Sequence, residues 1–262
     1  MKGIVLPVPA KYEALALRNI KRLREKFDRN VPVEIWEVGK EISAEIRGQM
    51  LPLGSITFRN VMDHTPTPSH WKGFQIKAFA AHYTGFEQML LCDADLTFLR
   101  NPLPLFTHKA FRETGTYFFR DLAKWKYRRV SEMGTEEFSS YNFYRLRREW
   151  LLGLMPEPPA FFPREWRHLY KSDLPVKPVH EAYMESGAVF LDRLRHKDIL
   201  ETVFRLNENH EETYRCVMGD KETWWIACCI CNKPFSMNPL PPLIVLRRLT
   251  QFYRCLPFYR QK

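Results

Sequence analysis

The sequence predicts an α/β fold: an open, mostly parallel sheet with helices on both faces. Three observations carry this. Short continuous apolar runs recur, GIVLPVP at 3–9, FEQMLLC at 86–92 and SGAVFLD at 186–192, as in strands buried on both faces. An amphipathic stretch, YEALALRNIKRLREKF at 12–27, follows the first of them, with Leu15, Leu17, Ile20 and Leu23 near helical spacing. VPVEIWEV at 31–38 alternates and reads as a second strand, so the chain opens strand–helix–strand, the start of a parallel, Rossmann-like sheet.

The later elements follow in order. HTPTPSHW (64–71) carries two Thr-Pro pairs and no clear period, and Ser69 is placed to cap a helix over about 70–84. FEQMLLC is the next strand, and GTYFFRD (115–121) another. Residues 122–180 are rich in Arg, Trp, Tyr and Pro and read as irregular helices and loops inserted over one face. SGAVFLD returns to strand, a helix of about 195–210 follows, and DKETWWIACCI (220–230) is the last helix. No internal repeat or second-domain boundary is visible. The expectation is one domain, 1–262, with an inserted region at about 122–180.

Composition limits the function classes. At 262 residues and 45% hydrophobic content a sizeable core is expected. No run approaches the roughly 20 apolar residues of a membrane span. The N-terminal apolar run is short, holds two prolines and leads into a charged helix, unlike a signal peptide. The expectation is a cytoplasmic protein as written, or one of the Golgi lumen if an anchor has been removed. The net charge of +10 points to anionic partners. RDLAKWKYRR (120–129) holds five bases and one acid. The tail carries Arg247, Arg248, Arg254, Arg260 and Lys262 without an acid, so it is a surface for peripheral membrane contact or simply a solvated face. Six cysteines, three of them in ACCIC, lack paired C-x-x-C arms and are expected as free thiols.

The chemistry is expected where an apolar strand ends in acids: MLLCDADLTFLRNPLPLF (89–106) places Asp93 and Asp95 one residue apart. In open α/β sheets ligands bind beyond the carboxyl ends of strands. On extended backbone, side chains at i and i+2 point the same way, so both carboxylates face one ligand, a site for Mn²⁺ or Mg²⁺ shared with phosphates. The structural alternative has Asp95 capping a turn and Asp93 paired with an arginine. DADLT also fits the D-x-D-x-T of haloacid-dehalogenase-like phosphatases. That motif, however, ends a first strand, and GDKETWW offers Lys221 and Glu222 but not the later second Asp. A third reading is a basic nucleic-acid-binding module using the arginine–aromatic segments, although no such motif is recognisable.

GFQIKAFAAHYTGFEQMLLCDADLTFLRNPLPLF (73–106), ESGAVFLDR (185–193) and GDKETWW (219–225), in that order, resemble nucleotide-sugar glycosyltransferases of the GT-A fold. The likeness is closer to the fungal α-mannosyltransferase family that extends Golgi mannans and more distant to glycogenin-like retaining enzymes. It implies a GT-A sheet and transfer of mannose or another hexose from GDP-mannose or a UDP-hexose to a glycan or glycoprotein hydroxyl, with retention and without nucleic acid. By the same resemblance Asp93 and Asp95 hold the metal of the DXD motif, and Lys77, Val8, Ser186, Gly187, Asp121 and Lys221 line the donor. Glu185 and Asp220 act on the transferred sugar. The glycogenin-like enzymes tend to carry an amide where Glu185 stands. Asp220 is also a good N-cap for the helix after it, and Asp121 has a structural alternative in pairing with Arg120. Lys77 reads either as a phosphate ligand or as an exposed helix lysine. Many relatives take a third metal ligand from a C-terminal histidine, whereas the last histidine here is His210. Trp125, Tyr127, Trp150 and Trp166 form either an acceptor surface or a satellite core.

Overall fold

The computed structural model describes residues 1–121, 148–170, 183–240, 243–248 and 251–255. Its centre is a six-stranded sheet of order β3-β2-β1-β4-β6-β5. The strands are β1 (Lys2–Pro7), β2 (Val33–Glu37), β3 (Ile56–Asn60), β4 (Gln88–Cys92), β5 (Thr116–Arg120) and β6 (Met184–Asp192). The pairs β1–β2, β2–β3 and β1–β4 are parallel, and β6 runs antiparallel to both β4 and β5. The expected open, mostly parallel sheet is therefore present.

Both of its faces are covered, which is why the strands read as unbroken apolar runs. Successive side chains point to opposite faces. On one face Ile4, Leu6, Leu90 and Phe190 pack with Leu17, Ile20 and Leu23 of α1 (Glu13–Lys26) and Met50 of α2 (Ala44–Met50). On the other, Val5, Leu91 and Val189 pack with α3 (Ile76–Tyr83), α6 (Lys197–Glu208) and α8 (Thr223–Ile230). The shorter helices are α4 (Lys109–Thr114), α5 (Arg148–Leu154) and α7 (His210–Thr213). Among the described residues no helix is long and apolar enough to cross a membrane.

Several expectations are corrected. Residues 39–63, to which the sequence assigned no element, hold α2 and the edge strand β3. Ser69 lies inside a short 3-10 turn, Pro68–Trp71, and the helix expected from about 70 begins at Ile76, so Ser69 caps nothing. β7 (Leu243–Arg248) and β8 (Gln251–Cys255), in and just before the basic tail, pair antiparallel, where the sequence assigned no strand. Within the expected insertion, 148–170 is described and is helical at α5 and at Arg164–Tyr170, while Trp125 and Tyr127 lie outside the described residues. Trp166 is buried against Trp225, and Trp150 packs on the same cluster, so these two belong to the core rather than to an acceptor surface. Cys92, Cys216, Cys228, Cys229 and Cys231 are free.

Topology sets the position of the site. The chain leaves β1 toward β2 and β3, then returns to place β4 on the opposite flank of β1. The carboxyl ends of β1 and β4 thus bracket a topological switch point, the usual ligand crevice of such sheets. Because β6 is antiparallel, its beginning lies at that same end: Cys92 pairs with Ala188, and Asp93 N–H donates to Gly187 O at 3.0 Å. Pairing of Arg120 with Met184 brings Asp121 to the same rim.

Candidate active site

Six charged side chains from separate stretches converge at this end of the sheet. Lys77 sits in the first turn of α3 and is 5% exposed. Its ammonium lies 2.9 Å from Asp93 Oδ1 and 3.1 Å from Asp220 Oδ2, and it donates to Ser186 O and Oγ, each at 2.8 Å. Neither expectation for Lys77 describes this: it is not an exposed lysine, and four acceptors already face its three protons. Burial opposes the charge, but Asp220, Asp93 and Glu185 together hold the ammonium above the ordinary lysine range.

Asp220 is also fixed from other sides. Ser186 Oγ donates to its Oδ1 at 3.2 Å and Trp224 Nε1 to its Oδ2 at 3.0 Å. Its carboxylate is therefore turned into the cluster and does not cap α8; the residue preceding that helix is Glu222, whose side chain does not cap it either. Glu222 ties α8 to the start of β6, its Oε1 accepting from Tyr183 N–H at 2.8 Å and its Oε2 from the Trp225 indole. Burial pushes the Glu222 carboxyl up to about 7, against the pull of the Trp225 and backbone donors.

A second lysine closes the ring. Lys221 Nζ lies 2.8 Å from Asp121 Oδ2 and 3.1 Å from Glu185 Oε2. Glu185 Oε1 accepts from Gly187 N–H at 3.0 Å. Asp121 thus binds Lys221, while the Arg120 guanidinium lies 5.5 Å over the Tyr183 ring. Gly187 separates two acids: a Cβ added there would meet Glu185 Oε1 at 3.5 Å and Asp93 Oδ2 at 3.6 Å.

Asp93 and Asp95 differ more than an extended backbone predicts. The strand ends at Cys92, and Leu96 N–H donates to Asp93 O, so the motif is a turn. Asp93 is half-buried and pairs with Lys77, not with an arginine; burial raises its carboxyl to about 6, with Lys77 opposing and Asp220 and Glu185 adding to the rise. Asp95 is exposed and makes no side-chain hydrogen bond or ion pair among the described residues. The Val8 side chain is fully buried with Ile4 and Leu6, so it belongs to the core rather than to a donor surface.

The donor set fits a hard divalent cation. Among the described residues Lys77 lies against Asp93 and Asp220, and Lys221 against Asp121 and Glu185. Among the described residues no group of three or more His, Cys, Asp and Glu could hold a metal by itself. Mg²⁺-like ions typically take one or two carboxylates and complete their shell with substrate phosphate and water, and Asp93 with Asp95 supplies that number.

Residues 1–246 match the family model described as "Mannosyltransferase putative". The chain belongs to this mannosyltransferase family. The alpha-1,3-mannosyltransferase MNT3 of Saccharomyces cerevisiae is 25% identical over 256 residues, covering 93% of this chain and 40% of its own length. The alpha-1,2-mannosyltransferase MNN24 of Candida albicans is 36% identical over 112 residues, 42% of this chain and 16% of that protein. The chain thus spans well under half the length of these family members. Among solved structures, core-mannan synthase A of Aspergillus fumigatus in its Mn/GDP form overlays 87% of this chain and 69% of its own, at 10% identity and a TM-score of 0.47. The family favours a transferase over the phosphatase and nucleic-acid readings. The open, mostly parallel sheet expected of a GT-A domain is the one observed.

Two residues of the site escaped sequence reasoning: Trp224 and Glu222. The Asp220–Trp224 spacing of four, on a helical start, is the signal that could have found the first. The Glu222 contact to Trp225 is local, but those that tie it to β6 run to residues 38 and 39 positions away.

Proposed function

We propose that this chain carries the donor site of a metal-dependent mannosyltransferase, which moves mannose from GDP-mannose to a glycan hydroxyl with retention of anomeric configuration. The single observation that supports it most is the convergence of Lys77, Asp93, Glu185, Asp220 and Lys221 beside the β1/β4 switch point, in a chain of this family.

Asp93 and Asp95 would hold Mn²⁺ or Mg²⁺. Bound there, the ion neutralises charge gathering on the departing nucleotide diphosphate. Lys77 holds Asp93, Ser186 and Asp220 at one point, so each carboxylate keeps its direction without a substrate. Asp220 and Glu185 would accept hydrogen bonds from the sugar hydroxyls. Glu185, with its anionic form supported by Lys221 and Gly187 N–H, stabilises positive charge on an oxocarbenium-like sugar. Gly187 lets the Glu185 and Asp93 carboxylates approach each other, since even a Cβ there would touch both.

The test is release of GDP from GDP-mannose with and without Mn²⁺, beside UDP-glucose, with the product anomer read by NMR. Wild type should release GDP only with metal and prefer GDP-mannose. Asp95→Asn should abolish the metal-dependent release and the Mn²⁺-induced rise in Tm while leaving the metal-free Tm within about 1 °C, since Asp95 is exposed. Metal-independent release, or none from any nucleotide sugar, would sink the proposal.

A further inference from the structure

A cavity of about 380 Å³ opens on the far side of α3, between the segment after β3 and the last turn of α6. It is separate from the carboxylate–lysine cluster. Lys77 and Phe79 both belong to α3, and two residues along a helix turn the side chain through roughly 200°. Lys77 enters the cluster, while Phe79 lines the cavity.

Its walls have a particular chemistry. The floor is aromatic: Trp71 and Phe79 are buried, with ring centroids 4.8 Å apart, and Phe204 packs 4.7 Å from Trp71. The outer wall is Tyr83, 37% exposed, with the His64 ring 4.7 Å from it and inclined by 31°. Polar groups stand on the rim: Thr65, Thr67, His70 and Glu208. His70 is anchored by its Nε2 contact to Glu208 O at 2.6 Å. The Glu208 carboxylate makes no hydrogen bond or ion pair among the described residues.

The lining excludes several ligand classes. It includes no lysine or arginine, and Glu208 sits in the last turn of α6, at the negative end of the helix dipole. Phosphates and other anions are therefore disfavoured. No aliphatic side chain lines it, so it is a poor site for a hydrocarbon chain. A cage for a quaternary ammonium needs several ring faces converging on one point; here Trp71, Phe79 and Phe204 are packed on one another. What remains is the 37% exposed Tyr83 ring, flanked by His64 at 4.7 Å and Phe79 at 4.6 Å, beside imidazole, hydroxyl and carboxylate groups. That set suits a neutral polyhydroxylated ring, whose C–H face lies on an aromatic surface while its hydroxyls both donate and accept.

We propose that the cavity walled by Tyr83, His64 and Phe204 is a second site that binds a neutral oligosaccharide apart from the donor cluster. It would hold a glycan on the protein without taking part in bond cleavage.

The experiment is titration of the full chain with mannotriose, followed by calorimetry and saturation-transfer NMR, with tetramethylammonium as a comparison probe. Mannotriose should bind in the absence of nucleotide and metal. Tyr83→Ala should weaken it about tenfold, roughly one stacking contact. The exposed His64→Ala should weaken it too, which guards against Tyr83→Ala failing to fold. Asp220→Asn should leave it unchanged, and both cavity variants should keep wild-type GDP release from GDP-mannose. No mannotriose binding, binding lost in Asp220→Asn but kept in both cavity variants, or binding of tetramethylammonium alone would overturn the proposal. The GDP-release assay fails or succeeds independently, so the two proposals can be separated.

Discussion

At the scale of single residues, Lys77 is the pivot of the candidate site. Three carboxylates act on one buried ammonium, and a buried charge is stable only when its partners stay. Lys77→Met should destabilise the fold by about 3–5 kcal/mol in urea denaturation, because Asp93 and Asp220 lose their shared buried counter-charge. The loss should shrink toward acid pH, where the orphaned carboxylates can take protons. Gly187→Ala probes the opposite property. Its new Cβ would make only ordinary contacts at 3.5 and 3.6 Å, so Tm should change by less than about 2 °C. The Cβ would nevertheless stand between the Glu185 and Asp93 carboxylates, and GDP release should fall at least about tenfold if their spacing serves the donor. A parallel fall in Tm would show that the spacing is structural. Asp93 stood out in the sequence as an acid at a strand end, whereas Glu185 and Asp220 came from the resemblance. The sequence did not reveal that Lys77 is buried. That depends on Ser186, 109 residues away, and on Asp220, which no local pattern connects to α3.

At the scale of elements, the central strands and α1 were legible because burial on both faces leaves an unbroken apolar run. α2 and β3 were not. Met50 is the one buried residue of α2, and β3 alternates between half-buried and exposed positions, as an edge strand does. The one usable signal was Ser43, whose hydroxyl accepts from Ile46 N–H and caps α2. The close fit of β1 against its surroundings yields a sharper prediction. A Cβ on Gly3 would lie 2.3 Å from the Phe86 ring, which is itself buried. Gly3→Ala should cost about 1–3 kcal/mol in urea denaturation, and Phe86→Leu in the same chain should recover part of it.

At the scale of the whole molecule, Glu222 links folding to pH. It joins the start of α8 to the start of β6, so it holds two of the segments that deliver Asp220 and Glu185. Its carboxyl is raised from 4.5 to about 7 in the fold by burial. Below about pH 4.5 the group is protonated whether the chain is folded or not, and it costs nothing. Between about 4.5 and 7 the unfolded chain releases the proton while the folded chain keeps it, so stability falls as pH rises. Above about 7 both states are ionised and the penalty is constant. Burial of His82 and His196 lowers their pKa values and acts with the opposite sign, since stability is lost as pH falls through their range. The total profile therefore mixes the two effects, and the difference between wild type and Glu222→Gln isolates one. Near pH 4.5 the variant should be the less stable, because an amide cannot accept from Tyr183, Met184 and Trp225 as a carboxyl does. From there to pH 7 the gap should close by up to a few kcal/mol in urea denaturation, as the wild type alone bears the cost of ionising a buried acid. A gap that stays constant across that range would show that Glu222 is ionised throughout, held by its three N–H donors against burial.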